Sequence, residues 1–189
     1  MGKSILKVSV CALIYLALAF LGASSGIIHP ACFAYAGTVL AFLWSFIYFY
    51  AAANWQRFGV ATIMNAVVLA ACLILGEGNV ALYVILGGVT VLSELIRFLL
   101  KYDTIRGTVW SYIPMGLSFF GYVAHWWTET EGSLEEALEE MPEGYALKME
   151  NVINSNIGIV MAVIIALILG YVGITLAQKL MKKQAVKLA

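Results

Sequence analysis

The stretch HWWTETEGSLEEALEEMPEGYALKMEN, His125 to Asn151, is the one long polar segment between apolar runs. From Thr128 to Asn151 it carries eight of the chain's eleven acidic residues: Glu129, Glu131, Glu135, Glu136, Glu139, Glu140, Glu143 and Glu150. Every other connection is only a few residues long. If the flanking runs cross a membrane, this is where the chain builds something outside it. The segment reads as a cap, residues 128–151, over a ligand site.

The composition supports a membrane setting. The chain has 189 residues, 62% hydrophobic and 12% charged, with mean hydropathy +0.91. A soluble domain averages about 25% charged residues. The length suits one domain over residues 1–189. No basic face fits nucleic acid. Cys11, Cys32 and Cys72 lie in or beside apolar runs without paired spacing, which predicts buried, structural thiols.

A spanning helix needs about 20 apolar residues. Working outward from the cap, spans are expected over 108–127 before it and 157–176 after it, with four more at 8–28, 31–53, 60–75 and 80–100. A cleaved signal peptide has an apolar core of about 7–15 residues. The first run is longer and leads directly into His29-Pro30, so it is a span. Gly59 ends the NWQRFG connection, and Gly76-Glu77-Gly78-Asn79 forms a turn. The expected fold class is an all-α integral membrane protein. It has six transmembrane helices and an extracellular acidic loop, containing a short amphipathic helix, between helices 5 and 6.

Six spans place both termini on one side. With the N-terminus inside, ten of the eleven Lys and Arg fall inside and only Lys148 outside, a strong positive-inside bias. Nine acids fall outside, the eight in the cap plus Glu77. Glu94 and Arg97, at i,i+3, are expected to neutralise each other near the inner surface. Within the cap, Ser133 ahead of LEEALEEM, with Glu136 three residues on, predicts a capping box. Leu134, Ala137, Leu138 and Met141 predict an apolar helix face.

The order of features resembles the substrate-binding S components of energy-coupling factor (ECF) importers, in the MptD-like or Trep-Strep branch. The features are His29-Pro30, YFYAAANWQRFG, GEGN before helix 4, SEL at Ser93–Leu95, and Tyr112, Leu117 and Gly121 on helix 5. Trp127, Tyr145, and Gly170 and Gly173 ahead of a basic tail complete it. The tail, KLMKKQ, departs from that branch's KKHF-like ending. The resemblance implies a bacterial cell-membrane protein with cytoplasmic termini that is not an enzyme. It would capture a small, vitamin-like organic nutrient and work with a scaffold transmembrane subunit and two cytoplasmic ATPase subunits. The Ala-x-x-x-Ala docking pair of other S components has its spacing here at Ala19 and Ala23. The scaffold-docking set is expected at Ala12, Ala19, Ala23, Gly170, Gly173 and Ala177, although small residues at such spacings also serve internal packing.

Substrate-binding residues are expected under the cap, against helices 4 to 6: Asn79, Tyr83, Ser118, Tyr122, His125, Trp126, Tyr145, Asn151 and Asn154, with Asn156 beside them. Ligand pockets are mostly apolar and aromatic with a few converging polar groups. Asn151 and Asn154 could equally cap a helix, and Trp126 and Trp127 could form an interfacial belt. Glu77 reads as a solvated loop-tip charge. Two histidines make a poor metal site, so no metal or cofactor is expected. The acidic outer face disfavours an anionic phosphate ester, and the aromatic residues suit a flat ring, cationic or metal-chelated. Two other classes compete. An ion-coupled carrier would show repeats and midplane ionisable groups. An intramembrane enzyme would show a catalytic constellation, and neither signature is present in the sequence.

Overall fold

The computed structural model describes residues 2–188, without the side chains of Lys3 and Asn156. Among the described residues all regular structure is helical. The order is α1 (Gly2–Ser24), α2 (Pro30–Asn54), α3 (Val60–Leu75), α4 (Val80–Leu99), α5 (Ile105–Met115) and α6 (Ser118–Val123). It continues with α7 (His125–Thr128), α8 (Thr130–Glu140), α9 (Tyr145–Ile153), α10 (Asn156–Leu180) and α11 (Lys182–Ala185). Four helical stretches are long and apolar enough to cross a membrane: Ser4–Ile27, Pro30–Asn54, Val80–Leu99 and Ile157–Leu180. The protein is thus a multi-pass, all-helical membrane chain. The helix α3 is apolar but spans 16 residues, about 24 Å at 1.5 Å per residue.

Local chemistry sets most helix ends. Pro30 stands at the first turn of α2, where a missing N–H costs nothing, and His29 Nδ1 accepts from Ala31 N at 3.1 Å. Asn79 Oδ1 accepts from Leu82 N at 2.8 Å to start α4, and Thr104 Oγ1 accepts from Gly107 N at 2.9 Å to start α5. Gly76 ends α3 with φ +80, a conformation that costs an L side chain about 1–2 kcal/mol.

Helix α2 is the axis of the bundle. It packs against α1, α3, α5, α6, α9 and α10, and Trp44, Tyr48 and Phe49 on it are almost wholly buried. Helix α10 approaches it closely through Gly173. A Cβ there would collide with the Ser45 hydroxyl and lie 2.9 Å from Phe42 O. The outward faces carry Leu13, Leu21, Val84, Leu92 and Ile168, all exposed, as a lipid-facing surface requires.

Glu94 and Arg97 do not neutralise each other by a direct hydrogen bond. Instead each satisfies a different helix end. Glu94 Oε1 accepts from Gly59 N (3.1 Å), Ala61 N (2.9 Å) and Thr62 N (3.3 Å), capping the start of α3. Arg97 donates through Nη2 to Ala52 O (2.9 Å), Trp55 O (3.0 Å) and Tyr102 O (3.2 Å), and through Nη1 to Arg57 O (3.4 Å). Both are buried. The α2–α3 turn lies between them, so its free N–H groups meet an anion and its free carbonyls meet a cation, the pairing helix dipoles favour. The basic tail folds onto the same turn. Lys187 Nζ donates to Asn54 Oδ1 at 2.8 Å, Gln56 donates to Lys187 O, and Leu188 is buried.

Three sequence expectations need correction. The fifth span, expected as one helix over 108–127, begins at Ile105 and is divided into α5, α6 and α7. Pro114 lies at the end of α5, and the chain continues through short bonds, Leu117 N to Pro114 O (2.9 Å) and Phe120 N to Leu117 O (3.0 Å), the tighter 3₁₀ pattern. Ser133 does not cap the cap helix. Helix α8 starts three residues earlier at Thr130, Ser133 N bonds Glu129 O at 3.0 Å, and its buried side chain faces His125 O at 3.5 Å. The packed face of α8 is therefore Ser133 and Ala137 with Leu134 half-buried beside them, and Leu138 is left 72% exposed. Finally, Cys11 and Cys72 are buried free thiols but Cys32 is exposed.

Candidate functional site

The cap is two helices, α8 and α9, folded back over one end of the bundle. Helix α9 was not foreseen: Gly144, at φ +80, lets the chain restart after Pro142. Met149, Val152 and Ile153 on it are buried, and Trp127 Nε1 donates to Ile153 O at 3.1 Å. The Tyr145 hydroxyl lies over Gly26, beside the start of α2, and burial there pushes it above its ordinary pKa.

Beneath the cap lies a cavity of two connected chambers. The upper one, about 180 Å³, lies between the cap and the bundle, with Phe33, His125, Trp126, Glu136, Glu140 and Tyr145 in its wall. The lower one, a narrow cleft of about 50 Å³, runs down between α1, α3, α4 and α6, with Tyr15, Ala19, Trp44, Ser118 and Phe119 in its wall. Ala23, Glu77 and Tyr122 line both, so they form the neck. An aromatic ladder follows the whole depth. Phe33 contacts Trp126 (4.9 Å) and Tyr122 (5.5 Å), Phe119 lies 6.0 Å from Tyr122 and 6.3 Å from Trp44, and Trp44 stacks on Tyr15 at 4.0 Å. Such linings, aromatic and aliphatic with a few polar groups, match small-molecule sites.

The floor is polar beneath its rings. Tyr15 hydroxyl donates to Asn65 Oδ1 at 3.2 Å, and Asn65 Nδ2 donates to Thr90 Oγ1 at 2.8 Å. Trp44 Nε1 donates to Tyr15 O at 3.1 Å. These bonds satisfy buried polar groups and fix the two rings that a ligand would meet. The breaks around Gly116 and Ala124 turn Ser118, Phe119, Tyr122 and His125 toward the chambers. His125 Nδ1 sits 2.7 Å from Tyr122 O.

Glu77 is exposed, as expected of a loop-tip charge, but its backbone is fixed. Gly76, in the left-handed region, lets Glu77 N bond Cys72 O at 2.9 Å, the helix-ending Schellman pattern. Two residues on, Asn79 caps α4. The Glu77 backbone is thereby fixed between two helix ends, and its exposed side chain lines both chambers.

The expected binding residues divide sharply. Tyr122, His125, Trp126 and Tyr145 line the upper chamber, and Ser118 and Tyr122 the lower. Asn79 is a helix cap, and Tyr83, 42% exposed, covers Gly78. Asn151 and Asn154 are exposed, Asn154 ending α9; the side chain of Asn156 lies outside the described residues. The site therefore abuts α1, α2 and α3 as well as the expected helices 4 and 5, here α4 and α6–α7, whereas α10, the expected helix 6, contributes no lining residue. Sequence reading missed Tyr15, Phe33, Trp44 and Phe119, whose signal was only the run Tyr15, Ala19, Ala23 at i, i+4, i+8 on one helix face. The expected docking residues are turned inward. Ala12, Ala19 and Ala177 are buried, Ala19 and Ala23 line the cavity, and Gly170 and Gly173 face α2. Among the described residues no group of three or more His, Cys, Asp or Glu could hold a metal.

One family matches residues 2–187, described as hypothetical bacterial integral membrane protein (Trep_Strep). No curated protein and no solved structure matches the chain.

Proposed function

This chain belongs to the Trep_Strep family of bacterial integral membrane proteins, and we propose that it is the substrate-binding S component of an ECF-type importer. In this reading it captures a small organic nutrient from outside. A scaffold transmembrane subunit and two cytoplasmic ATPases then drive its delivery. The observation that carries the reading is the two-chambered, aromatic-lined cavity closed by a cap at one end of the bundle.

The topology follows from the same proposal. The four long helices, together with α3 and the α5–α7 stretch, make six crossings with both termini cytoplasmic. Ten of eleven Lys and Arg then lie inside, which favours this orientation. The cap and cavity mouth face outward, and the α2–α3 turn with its docked tail faces the cytoplasm. The charged pair nearest that end, Glu94 and Arg97, is committed to capping helices, which argues against an ion-coupled carrier that would need ionisable groups free to titrate. Co-expression with a scaffold and its ATPases, followed by affinity purification through a tag on this chain, tests the partnership. A stable complex containing all of them supports it. Recovery of this chain alone, folded and ligand-binding, would count against it.

A further inference from the structure

The lining of the cavity restricts the chemistry of what it takes. In the lower chamber Glu77 is the only charged residue among those described, and the rest of the wall is aromatic or aliphatic apart from the Cys72 thiol and the Ser118 hydroxyl. In the upper chamber Glu77 is joined by Glu136 and Glu140. Among the described residues, no lysine or arginine lines either chamber. The outer lysine, Lys148, is exposed on α9. The backbone turn that carries Glu77 is fixed at both ends, and its exposed side chain lines both chambers.

We propose that the ligand is a cation built on a flat aromatic or heteroaromatic ring. The ring sits in the lower chamber among Tyr15, Trp44, Phe119 and Tyr122, and the positive nitrogen sits at the neck against Glu77. This rests on the binding role proposed above. The physical case is one of exclusion and of fit. An anion would enter past three carboxylates with no cation to receive it. A neutral ligand filling the neck would strip water from Glu77 and leave its charge unpaired, which costs far more than burying a paired one. A cation pairs with Glu77 and lies within reach of the ring faces that attract it. Glu136 and Glu140, on the cap side of the mouth, raise the local concentration of cations before the neck selects among them.

The test uses the full chain in detergent and three probes that share one ring system and differ in charge: naphthylmethylammonium, naphthylmethanol and naphthoate. Calorimetric titration should show the ammonium binding roughly tenfold or more tighter than the alcohol, with naphthoate weakest. In Glu77→Gln the advantage of the ammonium over the alcohol should disappear, with the alcohol binding as tightly as to the parent or tighter, and an unaltered circular-dichroism unfolding midpoint reports an intact fold. The double variant Glu136→Gln/Glu140→Gln should slow ammonium association and reduce the preference less. Equal or better binding of the alcohol or naphthoate overturns the proposal. So does failure of the ammonium to bind at millimolar concentration, or an undiminished preference in folded Glu77→Gln. If Glu77→Gln does not fold, the charge series on the unaltered chain decides alone. A chain that prefers the cation yet never assembles with a scaffold and ATPases would refute the importer role and leave the ligand class standing. An assembled importer that takes up naphthoate would do the reverse.

Discussion

Replacing Arg97 by Ala should cost more stability than almost any other single change outside the cavity. The guanidinium is fully buried and reaches four carbonyls, three through Nη2 at 2.9, 3.0 and 3.2 Å and one through Nη1 at 3.4 Å. Its removal leaves the end of α2 and the turn after it with buried, unmet carbonyls. Breaking a buried charged arrangement in this way costs about 3–5 kcal/mol. At about 2–4 °C per kcal/mol for a chain of this size, the midpoint of thermal unfolding should fall by roughly 6–20 °C. Arg97→Lys should recover only part of this, because a point charge cannot fork between several acceptors. Glu94→Gln should cost less, about 1–2 kcal/mol, since the amide oxygen still accepts from Gly59 and Ala61 without the charge. The measurement is unfolding of the detergent-solubilised protein, followed by circular dichroism and repeated by denaturant titration. An Arg97→Ala chain within about 0.5 kcal/mol of the parent, the range of ordinary surface changes, would refute the capping account. Full recovery in Arg97→Lys would show that charge alone, not the shared fork, holds the turn.

Other outcomes follow from the same geometry. Tyr122→Ala or Trp126→Ala should each weaken ligand binding by about 1–3 kcal/mol through lost contacts and unpaired partners, whereas Asn154→Ala, exposed at the end of α9, should leave titrated affinity unchanged. Gly173→Leu should destabilise the bundle by about 1–3 kcal/mol or more through overpacking against Ser45 and Phe42, read as a lower unfolding midpoint. In a cysteine-free background, Gly132→Cys on the exposed face of α8 should react with a membrane-impermeant maleimide added outside intact cells. Labelling only after inside access would invert the topology.

Much of the long-range organisation was legible from residues alone. Twenty-residue apolar runs, the Asn79 turn and the His29-Pro30 start each act within a few residues of themselves, so the boundaries of α2, α3 and α4 fall within about one residue of expectation. The cap was legible as a polar island, but its second helix was not, because YALKMENVI has no cap residue ahead of it and depends on packing of Met149 and Ile153. The three-part α5–α7 stretch escaped for a similar reason: Pro114 predicts a disturbance without saying which way the following residues turn. The site was half legible. Polar and aromatic residues next to the cap could be gathered by proximity in sequence, as with Tyr122, His125 and Trp126. Tyr15, Trp44 and Glu77 could not, since they come from three other elements and meet the rest only through folding. The Glu94 and Arg97 spacing invited the nearest pairing, whereas the free groups of the α2–α3 turn were the stronger claim on both.

The central claim is that this chain binds and that other subunits supply the work. The most direct measurement begins with the small molecule that co-purifies with the detergent-solubilised protein, identified by mass spectrometry. The protein is then placed in liposomes with and without a scaffold–ATPase complex, and uptake of that molecule is followed. The account predicts binding by the chain alone, no accumulation without partners, and uptake against a gradient only when partners and ATP are both present. A tight site, holding its ligand by about 12 kcal/mol if nanomolar, needs that external drive to empty inward. Concentrative uptake by this chain alone, powered by a proton or sodium gradient, would contradict the account.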